Sequence, residues 1–310
     1  MVALVARSRG KRWYSEAVRS LLEDSETNDP VQAIRYKAAA LVDSCEFDGP
    51  PIDCRMVASL RGVVEVKKTA MEQAGMLVPR GGGGYDILLN EADPATRQNF
   101  TCDHETCHTL FPYLAKRPVM KVDLRTGTFD TDAEEEYLCD VGAAELRMPM
   151  RWFRQSVKDF GPSIDTIPAL ASVYETSLEA AAVQFVLSQA WPCAVVVWQM
   201  AHKPADKPYL AKDQMALDGM ESYDPCPPKL RTKFAVVGES MDTFFPRFKS
   251  VEPESLIQQC YDNEETTKGT TGLFTGKTVR PFYTESMFVP TLASDSLPGG
   301  KVITLIMRNR

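Results

Sequence analysis

The run His104-Glu105-Thr106-Cys107-His108 places two of the three histidines of a 310-residue chain within five positions. Residues four apart on an α-helix lie a little over one turn apart, so both imidazoles would point the same way and could grip one ion. Glu105 would stand beside the first of them, where a carboxylate can take a proton from a water polarised by the metal without itself coordinating. A chain so poor in histidine offers roughly 0.002 chance matches to this H-E-x-x-H pattern. The plain alternative is a pair of helix histidines that are only packed and hydrogen-bonded, and a third ligand decides between the two.

Candidates for that ligand lie downstream. Asp132 to Pro149 reads as an acidic helix start, a body of small residues and a proline stop. Glu136 and Asp140 are four apart, so one could bind the metal while the other accepts the outer N–H of a ligating histidine. Spacing alone does not choose among Glu134, Glu135 and Glu136. An acidic triplet in a first turn is also what a solvated start favoured by the helix dipole looks like, a description that suits Glu134 and Glu135.

Arg97-Gln-Asn-Phe-Thr-Cys-Asp-His-Glu-Thr-Cys-His108, followed by Glu136-Tyr-Leu-Cys-Asp-Val-Gly-Ala-Ala-Glu-Leu-Arg-Met-Pro149, resembles the ImmA/IrrE family of metallo-endopeptidases. In that family an R-x-x-F-T-x-x-H-E-x-x-H helix precedes E-x-x-A-N-x-F-A-A-E-L-L-M-P. Pro51-Ile-Asp, Val63-Val-Glu-Val and the stretch from Leu170 extend the likeness to roughly residues 30 to 200. The resemblance implies His104, His108 and Glu136 as Zn2+ ligands, Glu105 as general base and Asp140 as the partner of a ligating histidine. Cys107 stands where the family has glycine, Cys139-Asp140 where it has Ala-Asn, and Gly142 where it has phenylalanine. No ligand position is lost.

The elements that must hold these residues follow from pattern. Helices are expected at 13–26, 30–45, just after Asp53, and at 93–115, 131–147, 150–160 and 177–190, with Asp29-Pro30 as cap and first helical residue. Val63–Lys67 and Tyr85–Leu89 read as strands separated by Arg80-Gly-Gly-Gly-Gly84, a hairpin connection that lacks the Lys-Ser/Thr of a phosphate loop. The strand before the metal helix, with Tyr85, Ile87 and Leu89, is the candidate edge on which a peptide substrate would add as a further strand. Beyond Trp191-Pro192, apolar runs at 194–199, 233–237, 280–283 and 302–306 alternate with proline- and glycine-rich stretches. The expected fold is α+β: residues 1–48 an N-terminal helical segment, 49–190 a mostly helical zincin-like metallopeptidase domain with a small sheet, and 191–310 a β-rich domain for sensing or substrate docking. His202, in that last domain, lacks a ligand cluster around it and is a candidate donor to a transition-state oxyanion.

Net charge is −7 and the pI about 5.2, so no basic field invites nucleic acid or an anionic membrane. No apolar run reaches the roughly 18 residues of a membrane span, and Met1–Ala6 is too short for a signal-peptide core, so a cytoplasmic location is expected. The eight cysteines include no C-x-x-C pair and read as reduced, buried thiols. Cys102, Cys107 and Cys139 lie near the motif and could serve instead as redox switches or ligands.

The resemblance implies a zinc endopeptidase whose protein substrate is a cognate helix-turn-helix repressor, cleaved in a stress response or in mobile-element control. An effector protease of a defence or toxin system would have the same chemistry and another target. A non-catalytic regulator would use zinc structurally and its β-domain to bind a partner. Three protein ligands and an adjacent acid favour the open catalytic type, and a fourth ligand from Cys102 or Cys107 would reverse that preference.

Overall fold

The apolar stripe that begins at Asp29-Pro30 folds as expected. Asp29 accepts a hydrogen bond from the Val31 amide and Pro30 opens the helix Pro30–Asp43 (α2), while Ser15 caps the shorter Glu16–Glu23 (α1). The computed structural model describes residues 12–112, 132–206, 227–293 and 297–307. The chain divides into two compact units; among the described residues one comprises 12–159 with 168–184, and the other 160–167 with 185–307.

In the first unit, Cys54–Ser59 (α3) leads into Val63–Thr69 (β1), Gly75–Pro79 (β2) and Tyr85–Asn90 (β3). The sheet order is β1-β3-β2, with β3 parallel to β1 and antiparallel to β2. The glycine run at 81–84 therefore joins the antiparallel pair β2 and β3. Ala95–His108 (α4) and Ala133–Arg147 (α5) carry the two motifs, and Met150–Phe160 (α6), Thr166–Val173 (α7) and Leu178–Leu187 (α8) follow. Helix α4 ends at His108, where Thr109 caps it with its amide; the expected continuation to 115 runs partly outside the described residues.

Two apolar clusters sandwich α4. On one side Ile34, Leu41 and Val42 of α2 meet Cys107, Leu138 and Cys139 in a core that also takes in Val18 and Leu21 of α1, so the N-terminal helices belong to the same core as the motif helices. On the other side Cys102 packs with Cys54, Val63, Leu77, Ile87 and Leu89. One helix thus has its apolar surface divided between a helical layer and a sheet, and its polar motif residues occupy what remains.

The second unit is a five-stranded antiparallel sheet of Cys193–Ala201 (β4), Lys229–Val237 (β5), Thr267–Thr275 (β6), Thr278–Val289 (β7) and Lys301–Met307 (β8), in the order β5-β4-β8-β7-β6. Helix Leu256–Asn263 (α9) closes one face, with Ile257 and Cys260 buried against Trp198, Leu273 and Ile306. A buried polar chain crosses the sheet, with the Trp198 indole N–H donating to Thr304 Oγ1 at 2.9 Å and Thr304 bonded to Ser286. Glu285 on β7 accepts from the Ile164 amide and the Ser163 hydroxyl, tying segment 160–167 into this unit. The fold is α+β, a helical domain with a small sheet followed by a β-rich domain. Among the described residues, no helix is long and apolar enough to cross a membrane.

Candidate metal centre

Helix α4 is positioned before its histidines are. Pro94 at its start brings no side-chain cap, and one turn later Gln98 ties the helix to the preceding loop, its amide donating to the Asn90 and Asp93 carbonyls at 3.0 and 2.9 Å. The far side of the helix is bolted to α5 by Arg147. This side chain, 1% exposed, donates through Nε to Asp103 Oδ2 at 2.8 Å and through Nη1 to the Ile52 carbonyl at 2.8 Å. A buried guanidinium is tolerated only when its donors are met in this way.

Helix α5 begins with Asp132, whose carboxylate accepts from the Glu134 and Glu135 amides. It approaches α4 closely because position 142 is glycine: a Cβ there would lie 2.7 Å from Cys107 Sγ and 3.0 Å from Ile34 Cγ1. The two departures from the family pattern, cysteine for glycine at 107 and glycine for phenylalanine at 142, therefore fill one another's space.

Across this contact the motif residues meet. His104 Nε2 lies 3.1 Å from Glu136 Oε2, and His108 Nε2 lies 3.8 Å from Glu136 Oε1, with the two imidazole centroids 5.1 Å apart. Each outer ring nitrogen has its own carboxylate. His104 Nδ1 is 3.0 Å from Asp140 Oδ1, and His108 Nδ1 is 2.8 Å from Glu135 Oε1. Held this way, each imidazole presents Nδ1 to its own carboxylate and directs Nε2 toward Glu136, which is how ligating histidines are usually oriented. Two imidazole nitrogens and a carboxylate oxygen form a donor set suited to a divalent transition metal with an open position, so the residues present fit a metal.

Electrostatics follow from the same neighbours. Burial works against the His104 imidazolium, but the carboxylates of Asp140 and Glu136 on its two nitrogens hold its pKa up to about 10. Burial also acts to raise Glu136, yet the His104 bond and the charges of both histidines bring it below the usual carboxylate range. Glu105 goes the other way. Its carboxyl is raised by burial against the opposing pull of His108 and His104 and of the Leu77 amide.

That amide identifies the strand facing the site. The bonds Asn90 N–H to Ala74 O and Arg80 N–H to Gly84 O frame the β2–β3 ladder, so Met76 and Val78 pair with β3 while Gly75 and Leu77 turn their backbone groups outward. A Cβ at Gly75 would lie 2.3 Å from Thr101 Cγ2 and 3.4 Å from Glu105 Oε1. The expected substrate strand is thereby corrected: Tyr85, Ile87 and Leu89 lie on the central strand, paired on both sides, with Ile87 and Leu89 buried in the core. The edge beside the motif helix is β2, a strand the sequence pattern passed over.

Two further expectations change. Glu135 is 5% exposed and bound to His108, and Glu134 Oε2 accepts from the Tyr14 and Ser15 amides, so neither is a solvated first-turn residue. The signal was available: Glu135 falls three and four positions before Leu138 and Cys139, on the stripe that continues to Gly142 and faces the core. Cys139 brings its sulfur close enough that the ligand atoms of His104, His108 and Cys139 all lie within 4.8 Å of one another. Its thiol, fully enclosed, is pushed well above its ordinary pKa by burial. His202 follows β4 in the second unit.

Comparison with known proteins agrees with this geometry. Residues 63–185 match the Peptidase_M78 family, described as an IrrE N-terminal-like domain. No curated protein matches the chain. A solved structure described as a Mycobacterium tuberculosis transcriptional regulator is similar over 89% of this chain and 76% of its own, with a TM-score of 0.53 and 9% identity, a likeness of fold alone. The matched segment spans the three-stranded sheet and both motif helices, so it is over residues 63–185 that the chain is similar to the Peptidase_M78, IrrE N-terminal-like family.

Proposed function

We propose that this protein is a zinc-dependent endopeptidase acting on a specific protein substrate. The observation that carries the reading is the pair of histidines whose Nε2 atoms face one carboxylate while their Nδ1 atoms are each held by another. His104, His108 and Glu136 would hold the ion, and Asp140 and Glu135 would fix the imidazole tautomers. A zinc ion bound there supplies Lewis acidity toward a carbonyl oxygen and makes water a nucleophile at neutral pH.

Glu105 takes the proton from the attacking water and passes it to the leaving amine. Its buried position suits this, since a carboxyl raised from its ordinary range is a better base near neutrality. The outward backbone groups of Gly75 and the Leu77 carbonyl would pair with the substrate main chain as an added strand, the Leu77 amide being engaged by Glu105. His202 stays a candidate oxyanion donor from sequence alone. The resemblance to the ImmA/IrrE family favours a cognate DNA-binding repressor as the substrate, and the second unit would select that target or sense its inducing signal.

The alternative is a structural site in which Cys139 is a further ligand, favoured by its approach to both histidines. Cys139 also packs in the apolar core with Ile34, Cys107 and Leu138, which favours a packing role for it. Cobalt substitution separates the two, since only a thiolate ligand gives sulfur-to-metal charge-transfer absorption. The decisive measurement of function compares new protein termini in cells carrying wild type or Glu105→Gln. The variant should fold and bind zinc yet generate no cleaved target; equal cleavage by both would remove Glu105 from the reaction.

A further inference from the structure

Helix α4 borders a cavity on the side away from its histidines. Ala95, Gln98 and Asn99 share a face of the helix roughly opposite to His104 and His108. There they bound a space of about 280 Å³, completed by the start of α3, by β1 and β3, and by Glu175, all within the first unit. Ligand pockets usually begin at roughly 300 Å³, so this one suits a molecule of few atoms.

The floor is apolar, with Ile52 and Leu89 buried and Val66 beside them. Four charged side chains stand around it. The Asp53 carboxylate accepts from the Arg55 amide at 2.9 Å and the Glu175 carboxylate from the Asn99 side-chain amide at 3.3 Å, each through one oxygen. The Arg55 guanidinium and the Lys68 ammonium have no hydrogen-bond or ion-pair partner among the described residues.

Two features show that the cavity is held in place. Arg147 donates to the Ile52 carbonyl at 2.8 Å and to the Asn99 carbonyl at 3.4 Å, so the buried guanidinium that joins α4 to α5 also fixes two of the cavity walls. Glu175 sits just after α7 in the left-handed region, at φ 48°, with the Thr176 amide closing on the Ala171 carbonyl at 3.0 Å. Glycine is the usual residue at that point of a helix end. A carboxylate is kept there against the preference of its own backbone, as happens where a side chain serves a ligand.

We propose that this cavity binds a zwitterionic small molecule of the amino-acid class, its carboxylate on Arg55 and Lys68, its ammonium on the open oxygens of Glu175 and Asp53, and an apolar side chain against Ile52, Val66 and Leu89. A simple anion would gain the two cations and meet two carboxylates, and a simple cation would meet the reverse. A ligand carrying both charges engages all four groups and leaves no net charge in the cavity.

Calorimetric titration of the full-length protein with L-valine, L-leucine, L-isoleucine and L-methionine should give saturable binding of at least one, which should also raise the melting temperature. The deaminated and decarboxylated analogues of the amino acid that binds (4-methylpentanoate and isopentylamine for leucine) should each bind roughly tenfold or more weakly, the effect of losing a charge-assisted hydrogen bond. Arg55→Gln and Lys68→Gln, made at exposed side chains, should weaken binding to a similar degree. Glu175→Gly should also weaken it while leaving the melting temperature of the protein alone unchanged or higher; a lower value would make Glu175 a structural residue and overturn its role. Absence of saturable binding by all four amino acids, or an analogue that binds as well as its parent, overturns the proposal. So does an affinity unchanged in the Arg55→Gln, Lys68→Gln double variant, the result for an amino acid held at the metal centre instead.

Discussion

At the scale of single residues, the centre is defined by which carboxylate faces which nitrogen. Glu135→Ala and Asp140→Ala should each lower zinc affinity by roughly 10- to 100-fold, the usual effect of losing a carboxylate behind a ligating histidine. Glu134→Ala should leave it unchanged, and Glu136→Ala should abolish it; equilibrium dialysis against a chelator buffer measures all four. Equal losses at 134 and 135 would mean the whole helix start had shifted. Because the metal-free His104 holds its proton up to about pH 10, zinc must displace that proton at neutral pH. Affinity should therefore climb by up to tenfold per pH unit through the neutral range. Calorimetry in buffers of different ionisation enthalpy should register roughly one proton released per zinc. His104, Glu105 and His108 were legible in the sequence because a helix converts four-residue spacing into a shared face, whereas Glu136 was singled out from its acidic triplet only by the family resemblance. Glu135 was legible only in principle, since a charged residue in a first turn has a more ordinary explanation and burial is a property of the partner helix.

Among the elements, α4 depends on what lies on each side of it. The Arg147–Asp103 pair is buried, so Arg147→Ala should destabilise the fold by about 3–5 kcal/mol, whereas replacing both partners with apolar residues of similar volume should cost far less. Urea titration of the single and double variants tests this, and equal losses would show that Arg147 acts through packing alone. Gly142→Ala should cost about 1–3 kcal/mol, because its new methyl meets Cys107 Sγ at 2.7 Å. Helices α1 to α6, α8 and the first and third strands were readable from capping residues and apolar runs, whereas α7 and α9 were passed over. Strand β2 was not, since Gly75-Met-Leu-Val-Pro79 is short, opens on glycine and closes on proline, and its pairing depends on β3 rather than on local preference. Strand β6 escaped for a like reason, its Lys, Gly and Thr residues showing no clear alternation. The mistaken substrate strand followed directly: with two strands visible, β3 looked like an edge, and only the third turns it into a centre.

For the whole molecule, the described chain passes between its two units near residues 160, 168 and 185. All the proposed ligands and their partners belong to one unit, so a fragment ending near Gln189 should still bind zinc if it folds. It would also carry segment 160–167 without Glu285, which otherwise receives the Ser163 hydroxyl and the Ile164 amide, and should be less stable than the full chain. Excess zinc should raise the melting temperature of the full chain, with a stabilisation of about 2.7 kcal/mol at a free concentration 100 times the dissociation constant. Absence of any shift, together with no metal by elemental analysis, would leave the histidines as packed residues. Cleavage of the natural target by the fragment with unchanged efficiency and unchanged dependence on the inducing signal would reduce the second unit to scaffold.

The contact between Cys107 and Gly142 also makes the two positions interdependent. A cysteine at 107 facing a phenylalanine at 142 would put two side chains into a space that holds one, while glycine at both positions would leave a void between the motif helices. Neither single step is neutral, yet the two together restore close packing. The two single changes should therefore differ in cost: Cys107→Gly should fold with reduced stability, and Gly142→Phe should fold worst, as urea titration of each would measure.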